Sequence, residues 1–428
     1  MSKNKKIIIA VRIIVLVAAV CLIAFFNTKK DNSEINKNDA SPTPVASVEA
    51  TTEPIVDYGS LAALTEKYGF SIGTVINYDD MSDTPYQELI KKYFNSITCG
   101  NEMKAYSMLD QNASMESTDD TPCLNYSKAD EIVGFAEQNG IGVRGHVLVW
   151  DAYMCDWFFR EGYTNDGDYV NSKTLKKRLK SYIEQVITHF EETFPKTVYC
   201  WDVVNEGVGD NEGEYKTSDP RHVRTLRNGE SNPFYEIIGK DYIELSFLYA
   251  KETVKSLKAD IKLFYNDYNA FQTEKRDAIC ELVKSINQSK MLCDGVGMQG
   301  YIGGYGSQNG CMNYADITKV KTAITMYGNL GVDVHVTEMS LRNYENTEEM
   351  VKLHAEFYKS MFEAFMSVNT EEKDILTNVS IWGICDNPNS EEGSYGYMLN
   401  GPYCGLFTED YQIKDAFKQV YEVLSQGK

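Results

Sequence analysis

Two stretches of the chain run apolar and then end on a carboxylate. VYCWDVVNE, residues 198–206, finishes in Asn205 and Glu206, and GVDVHVTEM, residues 331–339, carries Glu338 at its end. An apolar strand that turns polar at its last residues delivers side chains to a cleft. Two glutamates facing one another there suit hydrolysis of a glycosidic bond: one protonates the departing oxygen, while the other attacks the anomeric carbon or activates a water to do so. A carboxylate separation of about 5–5.5 Å goes with direct attack and retention of configuration, and a wider gap with inversion. The sequence leaves both open. The negative charge of one glutamate raises the pKa of its neighbour, so one is expected to stay protonated as the acid while the other is ionised.

Positioning such a pair requires a frame, and the chain alternates short apolar runs with longer amphipathic ones. The expected strands are GFSIGTVIN (69–77), FNSITCGN (94–101), GVRGHVLVW (142–150), VYCWDVVNE (198–206), IKLFYNDYN (261–269), DGVGMQGY (294–301), GVDVHVTEM (331–339) and VSIWGICD (379–386). Helical patterns separate them; in residues 174–194, Leu175, Leu179, Tyr182, Ile183 and Val186 share one face. Eight β-then-α units imply a parallel sheet that closes most simply into an α/β fold of the (β/α)8, or TIM barrel, type. A doubly wound open sheet is the alternative, but no Gly-rich phosphate loop follows the first strand. Asn101, His146, Asn205, Glu206, Asn266, Asp267, Gln299, Glu338 and Trp382 all fall at or near strand C-terminal ends. In a barrel those ends ring one mouth, where catalytic residues of this architecture sit.

The 428 residues include 43% hydrophobic ones, enough for a large core, and a net charge of −20 argues against a nucleic-acid partner. Residues 1–30 join Lys3, Lys5, Lys6 and Arg12 to an apolar run from Ile13 to Phe26, the pattern of a signal peptide or of an N-terminal membrane anchor over residues 7–26. Either way the remainder is expected to be exported, with membrane contact only through this segment. Residues 31–56 are rich in Ser, Thr and Pro and read as a disordered linker. The catalytic domain is expected over residues 57–428. Nine cysteines follow Cys21 without a CxxC, so neither a zinc site nor a disulfide framework is indicated, and most are expected to be buried thiols. NDGD at 165–168 lacks the spacing of a calcium loop and reads as a solvated turn. No metal and no cofactor are expected.

These motifs together resemble glycoside hydrolase family 10, the (β/α)8 retaining endo-1,4-β-xylanases. The similarity runs through GNEMK, RGHVLVW, WDVVNE, LFYNDYN, LRNGESNPFYEIIG, VHVTEMS and the IWGICD segment, across essentially all of residues 57–425. It implies that Glu206 is the acid/base and Glu338 the nucleophile, with His335 supporting it. It further implies that Asn205 binds the 2-hydroxyl of the sugar at the cleavage point. Asn101, Lys104, His146, Trp150, Gln299, Tyr301 and Trp382 become substrate-binding residues, the substrate β-1,4-xylan or xylo-oligosaccharides, and the protein a monomer. Departures accompany the match. Tyr301 stands where the family usually has histidine, Ser340 where aspartate is usual, Gly100 where a glutamate often precedes the asparagine, and Asp151 and Tyr153 where histidine and glutamine are common. Tyr395 or Tyr397 is expected in place of a second tryptophan. Tyr301 is expected either to donate a hydrogen bond to Glu338 or to stack on sugar. Two alternatives stand beside the xylanase reading: a related β-glycanase acting on another or a decorated backbone, and a non-catalytic surface barrel that binds glycans.

Overall fold

The eight apolar runs become eight parallel strands that close on themselves. They are β1 (Ser71–Ile76), β2 (Ser96–Cys99), β3 (Gly142–Gly145), β4 (Val198–Asn205), β5 (Lys262–Asp267), β6 (Gly295–Met298), β7 (Asp333–Leu341) and β8 (Leu376–Ile381). Each pairs with the next in chain order, and β8 pairs with both β7 and β1, which closes the ring as a (β/α)8 barrel. The computed structural model describes residues 57–209, 218–219, 232–302, 314–388 and 401–426. The expected signal or anchor, the linker, and Tyr395 and Tyr397 lie outside the described residues.

The strands are buried on both faces, inside by the barrel's own side chains and outside by helices, which is why their sequences read as near-continuous apolar runs. The helix Ser172–Thr193 shows how the outer layer is fixed. Asn171 caps its start by accepting the Thr174 N–H at 3.1 Å, and Leu175, Leu179, Tyr182, Ile183, Val186 and Phe190 form its buried stripe. At the start of the barrel, Tyr58 packs edge-on against Phe417 and Tyr421 of the C-terminal helix Asp415–Ser425.

All eight strands differ from the sequence reading at one end or both, and two of the differences matter at the mouth. The last strand begins at Leu376 and stops at Ile381, so Trp382 stands just beyond it. The third strand ends at Gly145, before the cis peptide between His146 and Val147, and the chain rejoins the barrel where Leu148 and Val149 donate to the Asp202 and Val203 carbonyls, each at 3.0 Å. Beyond β6, Tyr301–Ile302 forms a short extra strand that pairs with Ser340 and Leu341 at the end of β7. Eight cysteines among the described residues are free thiols, and Cys99, Cys200, Cys280, Cys293 and Cys404 are buried.

Candidate active site

Glu338 lies on β7, 7% exposed, with its carboxylate held from two sides. The Tyr301 hydroxyl donates to Oε2 at 2.7 Å, and Asn266 Nδ2 donates to Oε1 at 3.3 Å. Asn266 also donates to Asn205 Oδ1 at 2.9 Å, and its own Oδ1 accepts from Thr337 at 2.8 Å, so its amide can point only one way. Room for that amide comes from β6: a Cβ on Gly297 would lie 2.3 Å from Asn266 Oδ1. Burial pushes the Glu338 carboxyl above its ordinary value, and the charge of Glu206 adds to the push. His146, the Tyr301 hydrogen bond and Lys104 oppose it. The upward pressure is expected on the acid of the pair; it acts instead on Glu338, the residue the resemblance makes the nucleophile, and these three groups oppose it in favour of the ionised form.

Glu206 follows β4 directly and is 8% exposed. Its backbone N–H donates to the Asn266 carbonyl at 2.9 Å, and Gln299 Nε2 donates to its Oε1 at 2.9 Å. Gln299, expected to bind substrate, thus also orients a carboxylate. The Asn205 Nδ2 is buried and has no protein partner among the described residues, which leaves an amide donor beside the pair for a ligand hydroxyl.

The wall next to the pair is aromatic. Trp150 and Tyr153 lie with ring centroids 4.3 Å apart, and the Lys104 ammonium sits 4.6 Å over the Tyr153 ring and 5.4 Å over Trp150. Burial lowers the Lys104 pKa, while Glu338, Glu206 and Glu102 draw it back up. Asn101 Oδ1 accepts from Tyr106 at 2.9 Å and from Lys104 at 3.5 Å, and Asn101 Nδ2 donates to Asn77 at 3.0 Å. Trp382 stands near His146, its ring centroid 6.4 Å from that of the histidine, and packs with Val75 and Tyr301.

Beneath these groups lies a buried network that the sequence reading did not single out. Arg144 grips Asp202 with two nitrogens, at 2.7 and 3.2 Å, and its Nε donates to His335 Nδ1 at 3.0 Å. His146 Nδ1 meets Asp202 Oδ2 at 2.9 Å. Burial and the Arg144 charge push His335 well below the ordinary histidine range, so it is a neutral acceptor, stacked on Phe264 with centroids 4.0 Å apart. His335 is linked through Arg144 and Asp202 to His146, and no hydrogen bond joins it to Glu338 among the described residues. Burial pushes Asp202 up, but Arg144 and the His146 hydrogen bond overcome it and hold the carboxyl below its usual value. The sequence signal was a charged residue inside each of two apolar strand runs. Ser340 is placed apart from Tyr301's role, its hydroxyl beside the buried Cys404 thiol.

Fold and site together define a (β/α)8 barrel with two buried glutamates, one just past its fourth strand and one in the C-terminal half of its seventh, as in glycoside-cleaving barrels. The sequence model of Glycosyl hydrolase family 10 matches residues 60–423, and the chain belongs to that family. It is 34% identical over 377 residues to endo-1,4-beta-xylanase Y of Acetivibrio thermocellus, covering 87% of this chain and 33% of that protein. It is 31% identical over 356 residues to endo-1,4-beta-xylanase B of Butyrivibrio fibrisolvens, covering 82% and 51%. The chain thus spans about a third to a half of the length of these relatives. Among solved structures, the CBM22-1–GH10 modules of a Clostridium thermocellum endo-1,4-beta-D-xylanase complexed with xylohexaose superpose with a TM-score of 0.72. That match is 32% identical and covers 86% of this chain and 68% of the other.

Proposed function

We propose that this protein is a retaining endo-1,4-β-xylanase, with Glu338 as nucleophile and Glu206 as acid/base. The observation that carries the reading is the pair of buried carboxylates, each held by its own donors, in a family 10 barrel. Relatives named as xylanases support the substrate. In the first step a Glu338 oxygen bonds to the anomeric carbon as the glycosidic C–O bond breaks, and the departing oxygen takes the Glu206 proton. In the second, Glu206 removes a proton from water, whose oxygen displaces Glu338 from the same carbon. Tyr301 and Asn266 orient Glu338, Gln299 orients Glu206, and the Asn205 amide donates to the sugar 2-hydroxyl. Asn101, Lys104, Trp150, His146 and Trp382 hold the sugars on the non-reducing side.

Reducing-sugar release from xylan by the wild type, abolished by Glu338→Ala, tests the activity. Proton NMR of the first product tests the stereochemistry: a β-anomer is expected, and an initial α-anomer contradicts the two-step route. Gly100 and Tyr153 favour one second reading, a preference for decorated or other β-linked glycans. It predicts faster release from a substituted xylan or a β-glucan than from plain xylan. Retention of both glutamates argues against a purely glycan-binding role. The basic and apolar N-terminal segment supports export as a secreted or membrane-tethered enzyme, which fractionation of the producing cells checks.

A further inference from the structure

Glu206 is an awkward residue to hold. It lies past the end of β4 with φ of 54°, a left-handed conformation that a side chain with a Cβ adopts only at a cost. A general acid must nevertheless aim its proton at one oxygen. The backbone that carries it is tied to β5 at both ends. The Glu206 N–H donates to the Asn266 carbonyl at 2.9 Å, and two residues later the Val208 N–H donates to the Tyr265 hydroxyl at 2.8 Å.

That hydroxyl donates in turn to Asp267 Oδ2 at 2.6 Å, and Asp267 Oδ1 faces the Lys275 ammonium at 2.8 Å. Lys275 rests 3.5 Å over the Tyr268 ring. Tyr265, Asp267, Lys275 and Val208 are all buried. Phenol chemistry gives the chain of bonds one direction. Tyr265 has a single proton, which an ionised Asp267 takes, so the hydroxyl oxygen is left to accept from Val208. Burial pushes the Asp267 carboxyl up to about 6, Lys275 opposing it and the charge of Glu206 adding to it, so above that pH the carboxylate is ionised and accepts from Tyr265. A second route joins the same residues, since the Asp267 carbonyl accepts the Gln299 N–H at 3.0 Å and Gln299 Nε2 holds Glu206 Oε1.

We propose that Tyr265 and Asp267 are positioning residues for Glu206, fixing the Glu206–Val208 turn so that its carboxyl meets the leaving oxygen. The proposal rests on the reading of Glu206 as acid/base. Both residues sit within an apolar-looking run, LFYND, and neither touches the sugar side of the cleft through these bonds.

Leaving-group dependence separates positioning from a merely structural role. Cleavage of an aryl β-xylobioside with a dinitrophenol leaving group needs no proton in the first step, and kcat/KM reports that step alone. Tyr265→Phe in the full chain is expected to lower kcat/KM on xylotetraose by about tenfold to a hundredfold, and on the dinitrophenyl substrate by less than about threefold. Equal losses on both substrates, or none on either, overturn the proposal. Asp267→Asn, which keeps the shape of the pair, is read with the same two substrates should Tyr265→Phe fail to fold. Glu206→Ala is the control. If it spares neither substrate, the acid/base reading itself fails; if it spares the dinitrophenyl substrate and Tyr265→Phe does not discriminate, only the present inference fails.

Discussion

The Tyr301 hydroxyl and the Glu338 carboxylate are joined by a 2.7 Å hydrogen bond, shorter than the 3.3 Å bond that Asn266 makes to the same carboxylate. Tyr301 is placed for it by the short strand Tyr301–Ile302, which pairs with β7 two residues beyond Glu338. A neutral phenol thus supports the carboxylate where the family usually has a histidine. Of the two roles open to Tyr301 from the sequence, the structure has the hydrogen bond.

The first prediction follows from the sign of that bond. It stabilises the ionised carboxylate and lowers the Glu338 pKa against the upward push of burial. Tyr301→Phe removes it, so the Glu338 pKa rises and the acidic limb of the kcat/KM–pH profile moves to higher pH. Turnover is expected to fall about tenfold, the worth of one good hydrogen bond, with little change in KM. Unchanged turnover with an unmoved acidic limb would reduce Tyr301 to a sugar-contacting ring.

The raised pKa of Glu338 also makes a statement about stability. A carboxyl whose folded pKa lies above its unfolded value of 4.5 takes up a proton on folding, and ionising it at higher pH costs stability. Glu338→Gln, still able to accept from Tyr301, is expected to melt about 1–3 °C above the wild type at pH 7–8. The advantage should shrink to nothing as the pH falls below the unfolded value. Thermal melts across that range check it, and a variant equally or less stable at neutral pH would show that the hydrogen bonds fully offset the burial.

Much of this arrangement was legible in the sequence because strand ends are where polarity breaks an apolar run. Glu206, Glu338, Asn205 and Gln299 were visible on that ground alone. Arg144 and Asp202 were passed over because they sit inside their runs rather than at the ends, and a charge there makes sense only once the two strands are known to be neighbours. Tyr265 reads as one more apolar residue until its hydroxyl is seen between Val208 and Asp267. Lys275 was hidden differently: it lies on the helix Thr273–Ile286, where a lysine is ordinarily solvated.

For the buried network the third prediction concerns Asp202. Its folded pKa is depressed, so its contribution is present above the unfolded value of 3.8 and is lost as the pH falls through the folded value below that. Asp202→Asn leaves the Arg144 guanidinium buried without its counter-charge, at a cost of about 3–5 kcal/mol at pH 7. The destabilisation is expected to diminish at pH values below 3.8, where the wild type begins to lose the same interaction. Denaturant unfolding at pH 7 and pH 3 makes the comparison. A deficit that stays constant with pH would assign the loss to packing.

The last prediction addresses Gly100, where the family often has a glutamate. A Cβ on residue 100 would lie 2.3 Å from Asn77 Oδ1, so the Asn77 carboxamide occupies the space that a side chain would need. Asn77 is not free to move without consequence, because its Oδ1 accepts from Asn101 Nδ2 at 3.0 Å. Asn101 in turn receives the Tyr106 hydroxyl and the Lys104 ammonium. Gly100→Ala should therefore push Asn77 aside and loosen Asn101 and Lys104 together. The expected result is a several-fold higher KM for xylo-oligosaccharides, of the order of one lost hydrogen bond, with turnover nearly unchanged. Asn77→Ala opens the same space and loosens Asn101 from the other side. If the two residues act through one contact, Gly100→Ala adds little to Asn77→Ala, and the double variant departs from additivity by more than about 0.5 kcal/mol in binding. Additive effects would mean that something other than Asn77 excludes a side chain at position 100.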